Sequence, residues 1–261
     1  MAQKLKHWNL ELELNYSNMR AIIYFLCLLL MFGCDSASEC FQSSGDMVSK
    51  ELSADIFTMI NVGEDIELVV KQGDERSITV STGENLLNDI TATVSNGELF
   101  LKNESGCNWS RTYNNTTIVV TTPELTKIYS STQFAVRSEG VLNFPVLSLQ
   151  SAMFNKTASG TFELNVNCSV LSIEDNASSF FNLRGSTNDL TVNFYDGNAR
   201  FEGSELSAQN VYTFQRSSND IVVAPQQSIS GTIYSTGNVV LMNVPAVVNV
   251  VQLYTGHLIY P

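Results

Sequence analysis

Beyond residue 34 the apolar side chains fall on alternate positions in short runs, and no run keeps a helical period. The clearest is "FELNVNC": Phe162, Leu164, Val166 and Cys168 share one face, and Glu163, Asn165 and Asn167 share the other. A period of two is that of an extended strand with one buried side. Runs rich in Val, Ile, Thr and Phe, broken by Gly, Asn, Asp and Ser, repeat this pattern to the C-terminus and predict an all-β chain. In the first half the predicted strands lie around "FTMINV", "DIELVVKQG", "SITVST", "DITATVSNGELFLKN" and "TTIVVTTP". Asn96-Gly97 stands between two of these runs and predicts a hairpin turn, because both residues tolerate positive φ.

The second half repeats. Ile128, Leu149, Ile173, Phe194, Phe214, Ile233 and Leu253 each end an apolar run just before a polar turn, at spacings of 19 to 24 residues. A second short strand follows each turn. A strand–turn–strand unit of about 20 residues cannot bury its apolar face alone, but stacked units share a continuous core. The expected fold is therefore an all-β, β-helix-like β-solenoid, with a sandwich of irregular hairpins as the alternative. The organisation read from the chain is a leader over residues 1–33 and a tether over 34–47, then an N-terminal β region over 48–122 and solenoid repeats over 123–261. On this alternation the residues following the aligned positions point outward: Tyr129, Gln150, Glu174, Tyr195, Gln215, Tyr234 and Tyr254. Stacking would make Tyr234 and Tyr254 neighbours, with Tyr195 on the same stripe. Such a stripe suits ligand binding, since tyrosine offers contact area and a hydroxyl at low entropic cost. It equally suits cross-rung stabilisation.

The one long apolar run, "AIIYFLCLLLMFG", is shorter than the roughly 20 residues of a spanning helix. With Met19-Arg20 before it and Gly33-Cys34 after it, it matches a signal-peptide core, and Met19 is a candidate true start. Gly33-Cys34 resembles the end of a bacterial lipobox, which makes Cys34 the expected site of lipid attachment. The other reading is an ordinary cleaved signal with Cys34 incidental. Cys40, Cys107 and Cys168 remain; the phase of "FELNVNC" makes Cys168 a core thiol, leaving Cys40 and Cys107 as the candidate disulfide of an exported protein.

Charge narrows the partners. The chain has 14 Lys+Arg against 26 Asp+Glu, a net of -12, with no basic cluster. Nucleic acid is excluded as a partner, because its binding rests on neutralising phosphates.

"ECFQSSG", "QGDERSITVSTGENLLNDI", "NGELFLKN", "CNWSRTY", "TTPELTKI", "RSSNDIVV" and "GNVVLMNVP" together give the chain a resemblance to the head GIN domain family of auto-transporter adhesins, from about Cys40 to the C-terminus. The resemblance implies an exported β-helix with Gly-Ser-Gly turns, although here the turns read "SST", "DNA", "RSS" and "STG". The cysteines of "ECFQ" and "CNW" look like features of a lipoprotein subgroup, which favours the Cys40–Cys107 bridge.

Catalytic chemistry is thin. His257 is the only histidine after the leader and has no carboxylate beside it in sequence. No zinc-type cluster, Walker motif or dinucleotide fingerprint occurs, so no metal or cofactor is expected. Because β-helices include polysaccharide-cleaving enzymes, Glu174-Asp175, Asp196 and Asp220, with Arg184, Arg200 and Arg216 nearby, form the alternative catalytic set. Acidic residues are also ordinary turn formers. Trp109 could serve as a ligand platform or as packing beside the bridge. The expected function is a non-enzymatic, lipid-anchored adhesin that meets a glycan or cell-surface ligand at the outer membrane or cell surface. The alternatives are a carbohydrate-active enzyme and a periplasm-facing sensor.

Overall fold

The computed structural model describes residues 43–53, 55–105, 116–153 and 159–261. Apart from Ser43, these residues fall in one compact unit. Chain order begins with β1 (Met47–Leu52), β2 (Met59–Val62), β3 (Glu67–Gln72) and β4 (Ser77–Gly83), followed by a 3₁₀ turn at Glu84–Asp89. Next come β5 (Ile90–Ser95), β6 (Glu98–Asn103), β7 (Thr117–Thr122), β8 (Lys127–Ser130), β9 (Ala135–Leu142) and β10 (Val146–Ser151). Four long strands follow: β11 (Thr161–Asp175), β12 (Phe180–Phe194), β13 (Arg200–Gln215) and β14 (Ile221–Ile233). The last are β15 (Val239–Leu241), β16 (Val247–Gln252) and β17 (Leu258–Ile259).

Parallel pairing organises them into a β-solenoid of about 6 turns. One ladder runs β6, β2, β8, β10, then the C-terminal halves of β11 to β14, and ends on β16. A second runs β7, β3, β9, then the N-terminal halves of β11 to β14, and ends on β15 and β17. Each long strand serves both ladders, with irregular register where it passes from one to the other. The parallel stack thus reaches across residue 123 into residues 59–122. The rungs there are out of chain order: β2–β3 lies between β6–β7 and β8–β9. Antiparallel strands finish the N-terminal end, β5 on β6, β4 on β7 and β1 on β4.

Local chemistry explains the elements. Asn96 (φ 53°) and Gly97 (φ 75°) make the tight β5–β6 turn that their sequence predicts. Phe162, Leu164, Val166 and Cys168 all point into the core, while Glu163, Asn165 and Asn167 are exposed. Core aromatics stack between rungs, with the Phe162 and Phe181 rings 4.7 Å apart.

The register departs from the sequence alignment in one instructive way. Ile128, Leu149 and Ile173 are true neighbours, but the next members of that row are Val192, Thr213, Gly231 and Val250. Phe194 belongs to another inward row, beside Asp175 and Gln215, and Phe214 opposes Asn193 and points outward. The last inward position before the turn is often polar: Ser130, Ser151, Asp175 and Gln215 occupy it, all essentially inaccessible. Choosing the last apolar residue of each run therefore selects different rows on different rungs.

Candidate binding surface

Those buried polar residues fasten the turns. The Ala177 N–H donates to Asp175 Oδ1 (2.6 Å), and the Ser217 N–H donates to Gln215 Oε1 (3.1 Å). Gln215 Nε2 donates to the Asn219 carbonyl (2.6 Å), and the Ser217 hydroxyl donates to the Ala199 carbonyl of the preceding turn (2.6 Å). Ser179 and Ser151 join hydroxyl to hydroxyl at 2.7 Å. At Gly197 (φ 78°) the turn leaves no room for a side chain, since a Cβ would lie 2.0 Å from the Ala177 carbonyl oxygen. Burial pushes the Asp175 carboxyl up to about 6, more than its hydrogen bonds to the Ala177 and Ser179 backbone and the Ser179 and Ser151 hydroxyls lower it.

Outside the first ladder, one row of side chains runs across five successive rungs. Gln150 Nε2 donates to Glu174 Oε2 (2.6 Å), and the Tyr195 hydroxyl donates to Glu174 Oε1 (2.8 Å). The Tyr195 ring lies 5.7 Å from that of Phe214, which lies 4.9 Å from that of Tyr234. Desolvation and the adjacent Glu174 carboxylate both raise the Tyr195 pKa, so this hydroxyl stays protonated and donates. With rungs about 4.8 Å apart, the row spans roughly 20 Å.

This row differs from the expected stripe at three places. Gln215 points inward, and Phe214 takes the outward place. Tyr129 is only 4% exposed. Tyr254 lies beyond the end of β16, fully outward, with no ring contact to Tyr234. Sequence reasoning missed Phe214 because Val211-Thr213-Gln215 and Tyr212-Phe214 both alternate plausibly. The signal that separates them is the turn-capping group two residues before a small turn residue, as in Asp175…Ala177 and Gln215…Ser217.

The outer side of the second ladder is charged instead. Arg137 bridges Glu67 and Glu163, the latter at 2.8 Å, and Lys71 meets Glu139 at 2.6 Å. A shallow cavity of ≈ 400 Å³ there is lined by Arg137, Glu163, Asn165, Asn182 and Arg184. These exposed pairs contribute little stability each, but they neutralise one another along the wall.

The residues of the alternative catalytic set are mostly held by separate local partners. Asp175 is inside the turn while its neighbour Glu174 is outside. Asp196 accepts the Gly197 N–H, and Asp220 accepts both the backbone N–H and Nδ2 of Asn238. Arg184 pairs with Glu205, Arg200 pairs with Glu202, and Arg216 is exposed. His257 is exposed, its backbone N–H donating to Asn238 Oδ1. Among the described residues no three His, Cys, Asp or Glu side chains are placed to hold a metal ion. Cys168 is a buried free thiol, pushed up to about 11 by desolvation. The leader, Cys34, Cys40, Cys107 and Trp109 lie outside the described residues.

A family model described as "Putative auto-transporter adhesin, head GIN domain" matches residues 56–245. A "putative adhesin" from Bacteroides fragilis is similar in structure, with a TM-score of 0.75 and 16% identity over 84% of this chain and 100% of that one. A "putative lipid binding protein" from Parabacteroides distasonis gives 0.61 and 14% over 83% and 97% of the two chains. A "putative adhesin" from Parabacteroides merdae gives 0.56 and 16%, also over 83% and 97%. At these identities the likeness is one of fold. No match was found among curated proteins.

Proposed function

Taking as premise that the chain belongs to the head GIN domain family of auto-transporter adhesins, we propose that it is a non-enzymatic, envelope-anchored adhesin that binds a glycan or cell-surface ligand along its solenoid wall. The observation that carries this reading is the continuous outward row Gln150–Glu174–Tyr195–Phe214–Tyr234. Its rings offer flat apolar area and its amide, carboxylate and hydroxyl offer directed hydrogen bonds, the combination that polyhydroxylated ligands use. The separate satisfaction of Asp175, Asp196 and Asp220 supports recognition over bond cleavage. In this reading the chain is tethered through lipid on Cys34, whose attached acyl chains supply the two or more anchors that stable membrane binding requires. The anchor places it at the outer membrane or cell surface.

Binding of the unaltered protein to cells and to a glycan array, set against a Phe214→Ser, Tyr234→Ser double variant, tests the surface. Binding is expected to fall while the melting temperature moves little. Intact binding with a lowered melting temperature would make the row purely structural. Labelled palmitate tests the anchor: Cys34→Ala should abolish both labelling and membrane fractionation, and a variant that still labels would refute it.

A further inference from the structure

The C-terminal end of the solenoid is built unlike any other part of it. β16 pairs on one side with β14, β17 pairs on one side with β15, and no described strand occupies the other side of either. Val248, Val250 and Gln252 continue the inward rows of Ile229, Gly231 and Ile233, yet Val248 is 36% exposed because no rung covers it. Nine of the sixteen large, exposed hydrophobic side chains among the described residues lie between Met242 and Tyr260. The core is thus cut open at this end.

Charge makes the end more unusual. From Ile221 to Pro261 there is no Asp, Glu, Lys or Arg, in a chain whose net charge is -12. Exposed sheet edges ordinarily carry charges that prevent pairing with another chain. β1, an edge at the opposite end, follows that rule with Lys50 and Glu51. β16, "VVNVVQ", does not.

We propose that this end is an interface with a second copy of the same chain, joined end to end about a two-fold axis. Three observations choose that occupant. Two acidic molecules repel, and this uncharged end is where two copies meet with least cost; a partner selected by opposite charge would find nothing here to pair with. The cross-section of the end also matches itself. A two-fold axis at right angles to the stack sets β16 antiparallel to its mate, so that Val248, Val250 and Gln252 from both copies face one merged core and the unpaired backbone groups of both edges are satisfied. Lastly, the N-terminal end is closed by antiparallel strands, with Lys50 and Glu51 on the β1 edge and an uncharged β5 edge, so it is this antiparallel closure that disfavours a head-to-tail filament and leaves the assembly to close as a dimer.

Sedimentation of the full chain carrying Cys34→Ala, recovered without lipid, tests this. The unaltered end should give a two-chain mass. Val250→Lys should weaken self-association by about a hundredfold or more, because two unpaired ammonium groups would be buried at the joint. Tyr212→Lys, at an exposed position away from the end, should leave the two-chain mass intact. A single-chain mass for the unaltered protein at its highest soluble concentration overturns the proposal, including the case in which phospholipid vesicles capture it through β16. A two-chain mass that survives Val250→Lys overturns it as well. If Val250→Lys loses its β-sheet circular dichroism, hydrogen exchange of the unaltered protein decides. Amides of Val247–Gln252 should exchange more slowly as protein concentration rises, and concentration-independent exchange refutes the interface.

Discussion

Asp175 is a carboxyl group sealed inside a turn, and its replacement by asparagine should make the protein more stable at neutral pH. The side chain is wholly inaccessible and accepts the Ala177 N–H at Oδ1. Its folded-state pKa is about 6 against an ordinary value of 3.8. A carboxyl whose pKa is raised on folding holds its proton more tightly in the native state. Stability is therefore fully present below the unfolded value near 3.8 and is lost as pH rises through about 6. A shift of about two units corresponds to roughly 3 kcal/mol of lost stability above pH 6. Asparagine keeps an oxygen for the Ala177 N–H and carries no charge at any pH. Urea unfolding of Asp175→Asn and the unaltered protein, followed by circular dichroism between pH 4 and 8, measures the difference. The variant should match the unaltered protein near pH 4 and exceed it by up to about 3 kcal/mol at pH 7. Titrations elsewhere cancel in the comparison when the sites are independent. A variant that is less stable at pH 7, by a margin that does not change with pH, would show that the carboxylate is a well-solvated or well-bonded anion and would refute the argument.

Other perturbations test the packing and the cysteines. Leu164→Ala, in the core beside Phe162 and Val166, should cost about 2–5 kcal/mol in denaturant unfolding. Glu163→Ala, on the outer face of the same strand, removes an exposed ion pair with Arg137 and should cost about 1 kcal/mol or less; equal costs would mean the two faces are misassigned. Non-reducing peptide mapping should find Cys40 linked to Cys107, a closure expected to stabilise the fold by roughly 3–5 kcal/mol, whereas a Cys107–Cys168 link would contradict it. Cys168, buried and with its pKa near 11, should resist alkylation in the native state at pH 8 and react only on unfolding.

The solenoid was legible from the sequence because stacking forces a repeat and strands force a period of two. The faces of β11 follow directly from Phe162, Leu164 and Val166, and the β5–β6 turn from Asn96-Gly97. The register was legible only through Ile173. Past that point the rule that inward means apolar fails, since Asp175 and Gln215 are buried for their bonds to turn backbone. The same slip hid Phe214 and misplaced Tyr254 relative to Tyr234. Ring contacts across rungs depend on register to a single residue, and a 20-residue period that varies by several residues does not supply it. The out-of-order β2–β3 rung leaves no local trace, because its partners lie far along the chain.

That displaced rung has a consequence for how the molecule comes into being. An array whose units stack in the order of synthesis can grow from its first unit, each new turn docking on a finished one. Here the first parallel rung, β2–β3, gains its first neighbour only when the chain has reached Thr122 and its second only at Leu142, because β6–β7 covers one side and β8–β9 the other. Closing those pairings spans dozens of residues and sets an entropic threshold before any rung is rewarded. Nascent chains that end before Thr122 are expected to lack the parallel stack, and once β8–β9 is made assembly can propagate rung by rung toward β16. The topology thus favours a start at an interior seed, with the earliest-made strands waiting for later ones.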